Sequence, residues 1–76
     1  MSGEHESWEV VLFVSVSHAL RAEKLLLTEG IPCKLIPVPR HLSSDCGVCL
    51  RFKPSLRPAV EEALRDRVDI GAIKPL

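Results

Sequence analysis

No charge of one sign dominates this sequence. Ten basic and ten acidic side chains cancel over 76 residues, so the chain has no general attraction to nucleic acid or anionic lipid. Aromatic residues are scarce. Tyrosine is absent, and Trp8, Phe13 and Phe52 complete the aromatic set, too few for a sheet that stacks RNA bases. Long apolar runs are missing too. The longest, Val10 to Val14, falls far short of the roughly 20 residues that span a bilayer. The N-terminal stretch MSGEHESWEV carries acids where a secretory signal needs a basic segment and then an apolar one. No Gly-rich phosphate loop, catalytic triad or paired-carboxylate constellation occurs. These absences lead us to expect a soluble cytoplasmic domain, with neither nucleic acid nor membrane among its partners and no cofactor.

Cysteine is present, but as an odd number, three. Without a secretory signal, a disulfide framework is not expected, and reduced thiols are the default. Composition otherwise describes a folded chain, with 46% hydrophobic and 26% charged residues. At ~100–200 residues per domain, there is room for one domain. So short a chain buries only about 60–65% of its unfolded surface, so the core is thin. We expect residues 1–8 to form a loose tail and 9–76 a single domain. The size suits a carrier, binding module or subunit better than an enzyme with its own substrate pocket.

Glu9 to Val16 predicts a strand that is apolar on both faces and so central in a sheet. Ser17 is the candidate N-cap of a helix over His18 to Glu29, with Ala19, Ala22 and Leu26 on its buried stripe and Gly30 ending it. Pro32 to Val38 predicts a second strand. Its prolines cannot donate ladder hydrogen bonds, which places it at an edge. After a loop over Pro39 to Asp45, Cys46 to Phe52 alternates as a third strand, with Val48, Leu50 and Phe52 on one face and Cys49 and Arg51 on the other. Ser55 is the candidate cap of a second helix, carrying Leu56, Ala59, Val60, Ala63 and Leu64 at helical spacing and a Glu61–Arg65 pair on its outer face. Val68 to Ile73 is the last strand. The order β-α-β-β-α-β predicts an α+β, ferredoxin-like fold: a four-stranded antiparallel sheet in the order 4-1-3-2, with both helices on one face. Val11 and Phe13 are expected on the helix-free face, leaving an apolar patch there that suits a homodimer or a partner.

In that topology strand 3 begins beside the end of strand 1, where helix 1 starts. Cys46, Ser17, His18, Arg40 and His41 then share one rim, and Gly47 leaves the backbone beside the thiol open to a close partner. A helix N-terminus and neighbouring cations favour thiolate, the nucleophilic form, and free N–H groups there favour a bound anion. The plain alternative is that Cys46 is a small apolar residue beside a solvated loop. Cys49 is the candidate resolving thiol of a C-x-x-C. Redox pairs of that type open helices, however. Entry into a strand spreads the two Cα atoms about 10 Å apart, beyond the ~7 Å a disulfide allows. Zinc or copper on Cys46, Cys49, His41 and His18 is a further alternative, but the usual tight ligand pairs are missing, and no metal is expected. Cys33, inside strand 2, reads as packing. Arg51 and Lys53 extend the basic cluster around the cysteines.

The stretch VLFVSVSHALRAEKLLLTEGIPCKLIPVPRHLSSDCGVCLRF resembles the small-domain family known as selenium/sulfur (Se/S) carrier protein-like. The matching parts are the strand before Ser17-His18-Ala19-Leu20, Ala22-Glu23-Lys24, Lys34 to Arg40, and Ser43-Ser44-Asp45-Cys46-Gly47 before an apolar strand. The likeness is good over residues 9–53 and looser beyond. It implies a bacterial cytosolic protein of selenium or sulfur metabolism, with Cys46 as the matching cysteine. Cys49 stands where an apolar or small residue is expected, so the resemblance adds nothing to a C-x-x-C mechanism. The leading expectation is a carrier that holds a persulfide or selenium atom on Cys46 between donor and acceptor proteins. The alternatives are a C-x-x-C thiol-disulfide oxidoreductase and an interaction module with structural cysteines.

Overall fold

A computed structural model describes residues 7–42 and 47–76. The strands are β1 (Glu9–Leu12), β2 (Lys34–Pro37), β3 (Val48–Phe52) and β4 (Ala72–Pro75), and the helices are α1 (Val16–Thr28) and α2 (Arg57–Leu64). The sheet runs β2-β3-β1-β4 and every pairing is antiparallel, the expected α+β, ferredoxin-like order. β1 is central, and Pro37 lies in the edge strand β2.

The main core lies between the sheet and the two helices. Val11, Phe13, Leu50 and Phe52 from the sheet side meet Ala19, Ala22 and Leu26 of α1 and Val60, Ala63 and Leu64 of α2. Val10, Leu12 and Cys49 form a second buried cluster with Ile36, Val38, Leu42 and Ala72. This inverts the expected facing of β1. Val11 pairs with Leu50, so the two share a face, and the helices cover the face of Leu50 and Phe52. A strand apolar on both sides cannot reveal its own orientation; the partner strand decides it. On the helix-free face, among the described residues, Val10 and Cys49 are fully buried and Leu12 nearly so, so these positions do not form the expected open patch.

The element ends also differ from expectation. β1 stops at Leu12, and Val14 is about half exposed. Ser15, not Ser17, caps α1. Ser15 has extended backbone (φ −154°, ψ 161°), and its Oγ accepts from the His18 backbone N–H, satisfying one of the donors a helix start leaves unpaired. At the other end Gly30 takes φ +76°. Its N–H donates to Leu27 O, and the Ile31 N–H to Leu26 O at 2.9 Å, a closing turn that favours glycine.

Ser55 does not cap α2. It lies in the 3₁₀ turn Pro54–Leu56, and Leu56 takes the cap position without a side-chain hydrogen bond. The i, i+4 pair on α2 is Arg57–Glu61 at 2.9 Å, whereas Arg65 leaves the helix at ψ 129° and lies nearest Glu62. β4 starts later than expected, at Ala72, because Asp66 at φ 61° and the residues after it first turn the chain back.

Candidate functional site

β1 and β3 run antiparallel with Leu12 opposite Cys49. Continuing that register leads to Gly47 on one strand and to the Ser15 cap on the other. Gly47 is exposed at φ +80°, and a Cβ there would meet nothing within 4 Å. Its carbonyl accepts the Val38 N–H at 3.1 Å, tying the ends of β2 and β3 together. The chain then turns at Pro39, with the Leu42 N–H on the Pro39 carbonyl, and Leu42 packs onto the cluster around Cys49. One end of the sheet thus gathers Gly47, the start of α1 and the turn carrying Arg40 and His41. Cys46 lies outside the described residues, as do Ser43, Ser44 and Asp45.

Ser17 is exposed in the first turn of α1 and His18 is half-buried beneath it. The His18 ring is bound to the cap: its Nδ1 lies 2.6 Å from Ser15 Oγ, the same atom that accepts the His18 backbone N–H at 3.3 Å. With Nδ1 unprotonated, the Ser15 hydroxyl donates to the ring. Ser15 holds the cap role that sequence reasoning gave to Ser17. The signal was present, because Ser-x-x-His has the spacing of a capping box, where the third residue after the cap reaches back. Arg40 and His41 are exposed.

The other cysteines do not join this end as reactive groups. Cys49 is a thiol buried to 0% exposure, on the face away from the helices, as its alternation with Val48 and Leu50 predicts. Cys33 is half-buried and lies just before β2 rather than inside it, because Pro32 and the residues on either side of it make no ladder pairs. Burial pushes its thiol pKa up, and the Glu23 carboxylate adds to the shift. The basic cluster is also divided. Arg51 and Lys53 lie toward the opposite end of β3 from Gly47, over the Trp8 ring, with the guanidinium carbon 4.1 Å and Nζ 5.0 Å from its centroid. Alternation had placed Arg51 on the right face but could not show that the strand carries it away from the loop. Among the described residues no group of three or more His, Cys, Asp or Glu could hold a metal ion, and no helix is long and apolar enough to cross a membrane.

Residues 9–73 match the model of a family described as "Putative Se/S carrier protein-like". Comparisons with curated proteins and with solved structures return no match.

Proposed function

We propose a carrier role from a plain premise: the chain belongs to the Se/S carrier protein-like family. In this reading Cys46 is the carrier thiol. As thiolate it attacks the outer sulfur of a donor persulfide, R–S–SH. A new S–S bond forms on Cys46, the donor S–S bond breaks, and the donor leaves as R–S⁻. The sulfane sulfur rides as Cys46–S–SH until an acceptor thiolate takes it by the same exchange. With a donor R–S–SeH the selenium atom moves in the same way. No net oxidant is consumed, since each transfer makes one chalcogen bond and breaks another.

The observation that carries this reading is the state of the other two cysteines. A carrier thiol must meet two proteins in turn. Cys49 is wholly enclosed, and Cys33 is half-buried and held protonated. Neither suits that task, which leaves the cysteine that follows Ser-Ser-Asp and precedes exposed Gly47. The positive end of α1, which begins at Val16 and Ser17, and the Arg40 guanidinium favour its thiolate, with the His41 ring on the same turn. The bare backbone of Gly47 lets a donor or acceptor protein approach closely. The burial of Cys49 also favours a one-thiol carrier over a C-x-x-C oxidoreductase, because a resolving thiol must reach its partner sulfur. The same reading makes the chain a cytoplasmic protein of bacterial selenium or sulfur metabolism.

The test is intact-mass analysis after incubation with a cysteine desulfurase and cysteine. The wild-type chain gains the mass of one sulfur atom. Cys46→Ser abolishes the gain, while Cys33→Ser and Cys49→Ser retain it. A gain that needs both Cys46 and Cys49 points to the oxidoreductase, and no gain in any form points to the interaction module.

A further inference from the structure

A cavity of about 280 Å³ opens at the end of the sheet away from Gly47, lined by Trp8, Pro32, Cys33, Lys34, Arg51 and Lys53. From Gly47 to Arg51 the strand runs about 13 Å at ~3.3 Å per residue, so this pocket is separate from the proposed carrier end.

Its charge distribution is unusual. Lys34 and Arg51 are direct cross-strand partners in the β2–β3 ladder, a placement that puts like charges side by side and destabilises a sheet. Lys53 adds a third cation two residues along the same face. Among the described residues, no carboxylate lines the cavity. Arg51 Nε is buried and has no hydrogen-bond partner among the described residues, whereas buried polar groups are nearly always satisfied. The remaining walls are apolar: the Trp8 ring, the Pro32 ring and the Cys33 thiol.

We propose that this pocket is a binding site for a small carboxylate with an apolar body, whose charge offsets the Lys34–Arg51 pair. A planar guanidinium matches a carboxylate through paired hydrogen bonds, and the apolar body lies against Trp8 and Pro32. Cys33 does not react with the ligand. Burial and Glu23 keep it a neutral thiol, so the pocket holds its occupant without attacking it. This inference is independent of the role of Cys46.

Benzoate is the probe, and benzyl alcohol is its uncharged counterpart. Trp8 is the single tryptophan of the chain, so its fluorescence reports the pocket directly. Benzoate produces a saturable change in Trp8 emission and slows alkylation of Cys33; benzyl alcohol does neither at the same concentration. Arg51→Met weakens benzoate binding about tenfold or more, as expected for a lost charge-assisted hydrogen bond, and Lys34→Met weakens it in the same direction. Arg65→Met, just past the end of α2 and outside the cavity lining, leaves it unchanged. Arg51 also covers Trp8, so if its variant does not fold, the exposed Lys34 variant carries the test. A response equal for benzyl alcohol, binding unaffected by Lys34→Met, or no saturable response overturns the proposal.

Discussion

Cys33 shows how a thiol with cations nearby can still be a poor nucleophile. Three basic side chains line its pocket, yet burial and the Glu23 carboxylate raise its pKa. Folding therefore holds the proton to a higher pH than the unfolded chain does. The unfolded state loses it first, so stability is full below the ordinary thiol pKa, ~8.5, and falls as pH rises through and above it. Cys33→Ser removes that loss. The urea midpoint of the wild type drops between neutral pH and about pH 10 by more than that of the variant. Equal drops would mean that Cys33 titrates alike in both states. Gly47 makes the second residue-level case. Space for a methyl group exists there, but the backbone is at φ +80°, where an L-residue costs about 1–2 kcal/mol. Gly47→Ala lowers unfolding stability by about that amount in a denaturant titration, although it touches nothing. A neutral effect would show that the turn relaxes freely.

At the scale of elements, the sequence revealed periodic features and concealed boundaries. The buried stripe Ala19-Ala22-Leu26 stands as helical spacing suggests, and so do Val60, Ala63 and Leu64 of the second stripe, whereas Ala59 is exposed and Leu56 lies in the 3₁₀ turn before α2. Gly30 ends α1 as its type suggests. The caps were not legible to the same degree, because Ser15, Ser17 and Ser55 are chemically equivalent candidates and the choice depends on the backbone angles of the residues around them. Ser15 wins because the chain is still extended there and already helical at Val16. Its replacement is a direct test: Ser15→Ala costs about 1 kcal/mol, while Ser17→Ala, exposed in the first turn, costs close to nothing. Chemical denaturation of the two variants separates them, and equal losses would contradict the assignment. The orientation of β1 was likewise hidden, since Val10 and Val11 are equally apolar and only pairing with Leu50 tells them apart.

At the scale of the molecule, topology was the most legible property. Pro37 of β2 and the two-sided apolar character of β1 each restrict one strand, and together with the order of elements they give the observed sheet. The fold leaves little margin for damage to its core. Phe52 is fully buried between the sheet and both helices, and truncating a buried phenylalanine costs about 3–5 kcal/mol. Domains in general have only about 5–15 kcal/mol in total, and small ones sit at the low end. Phe52→Ala therefore leaves a chain with a large unfolded population at room temperature, visible as lost dispersion in its proton NMR spectrum. A fully dispersed spectrum would mean that the core is less continuous than its packing indicates. The candidate site was legible in part. Its glycine, the start of α1 and the Arg40–His41 turn follow from the topology, while the separation of Arg51 and Lys53 from them depends on how far β3 runs before it ends.

The central claim concerns which sulfur carries the cargo. The most direct measurement loads the wild-type protein from a cysteine desulfurase, traps persulfides with an alkylating agent, digests the chain and reads each cysteine peptide by mass. The carrier account predicts the extra sulfur on the peptide containing Cys46, in a form that one equivalent of an acceptor thiol removes, with Cys33 unmodified. Sulfur found on Cys33 or Cys49 instead, or on no cysteine at all, would contradict it.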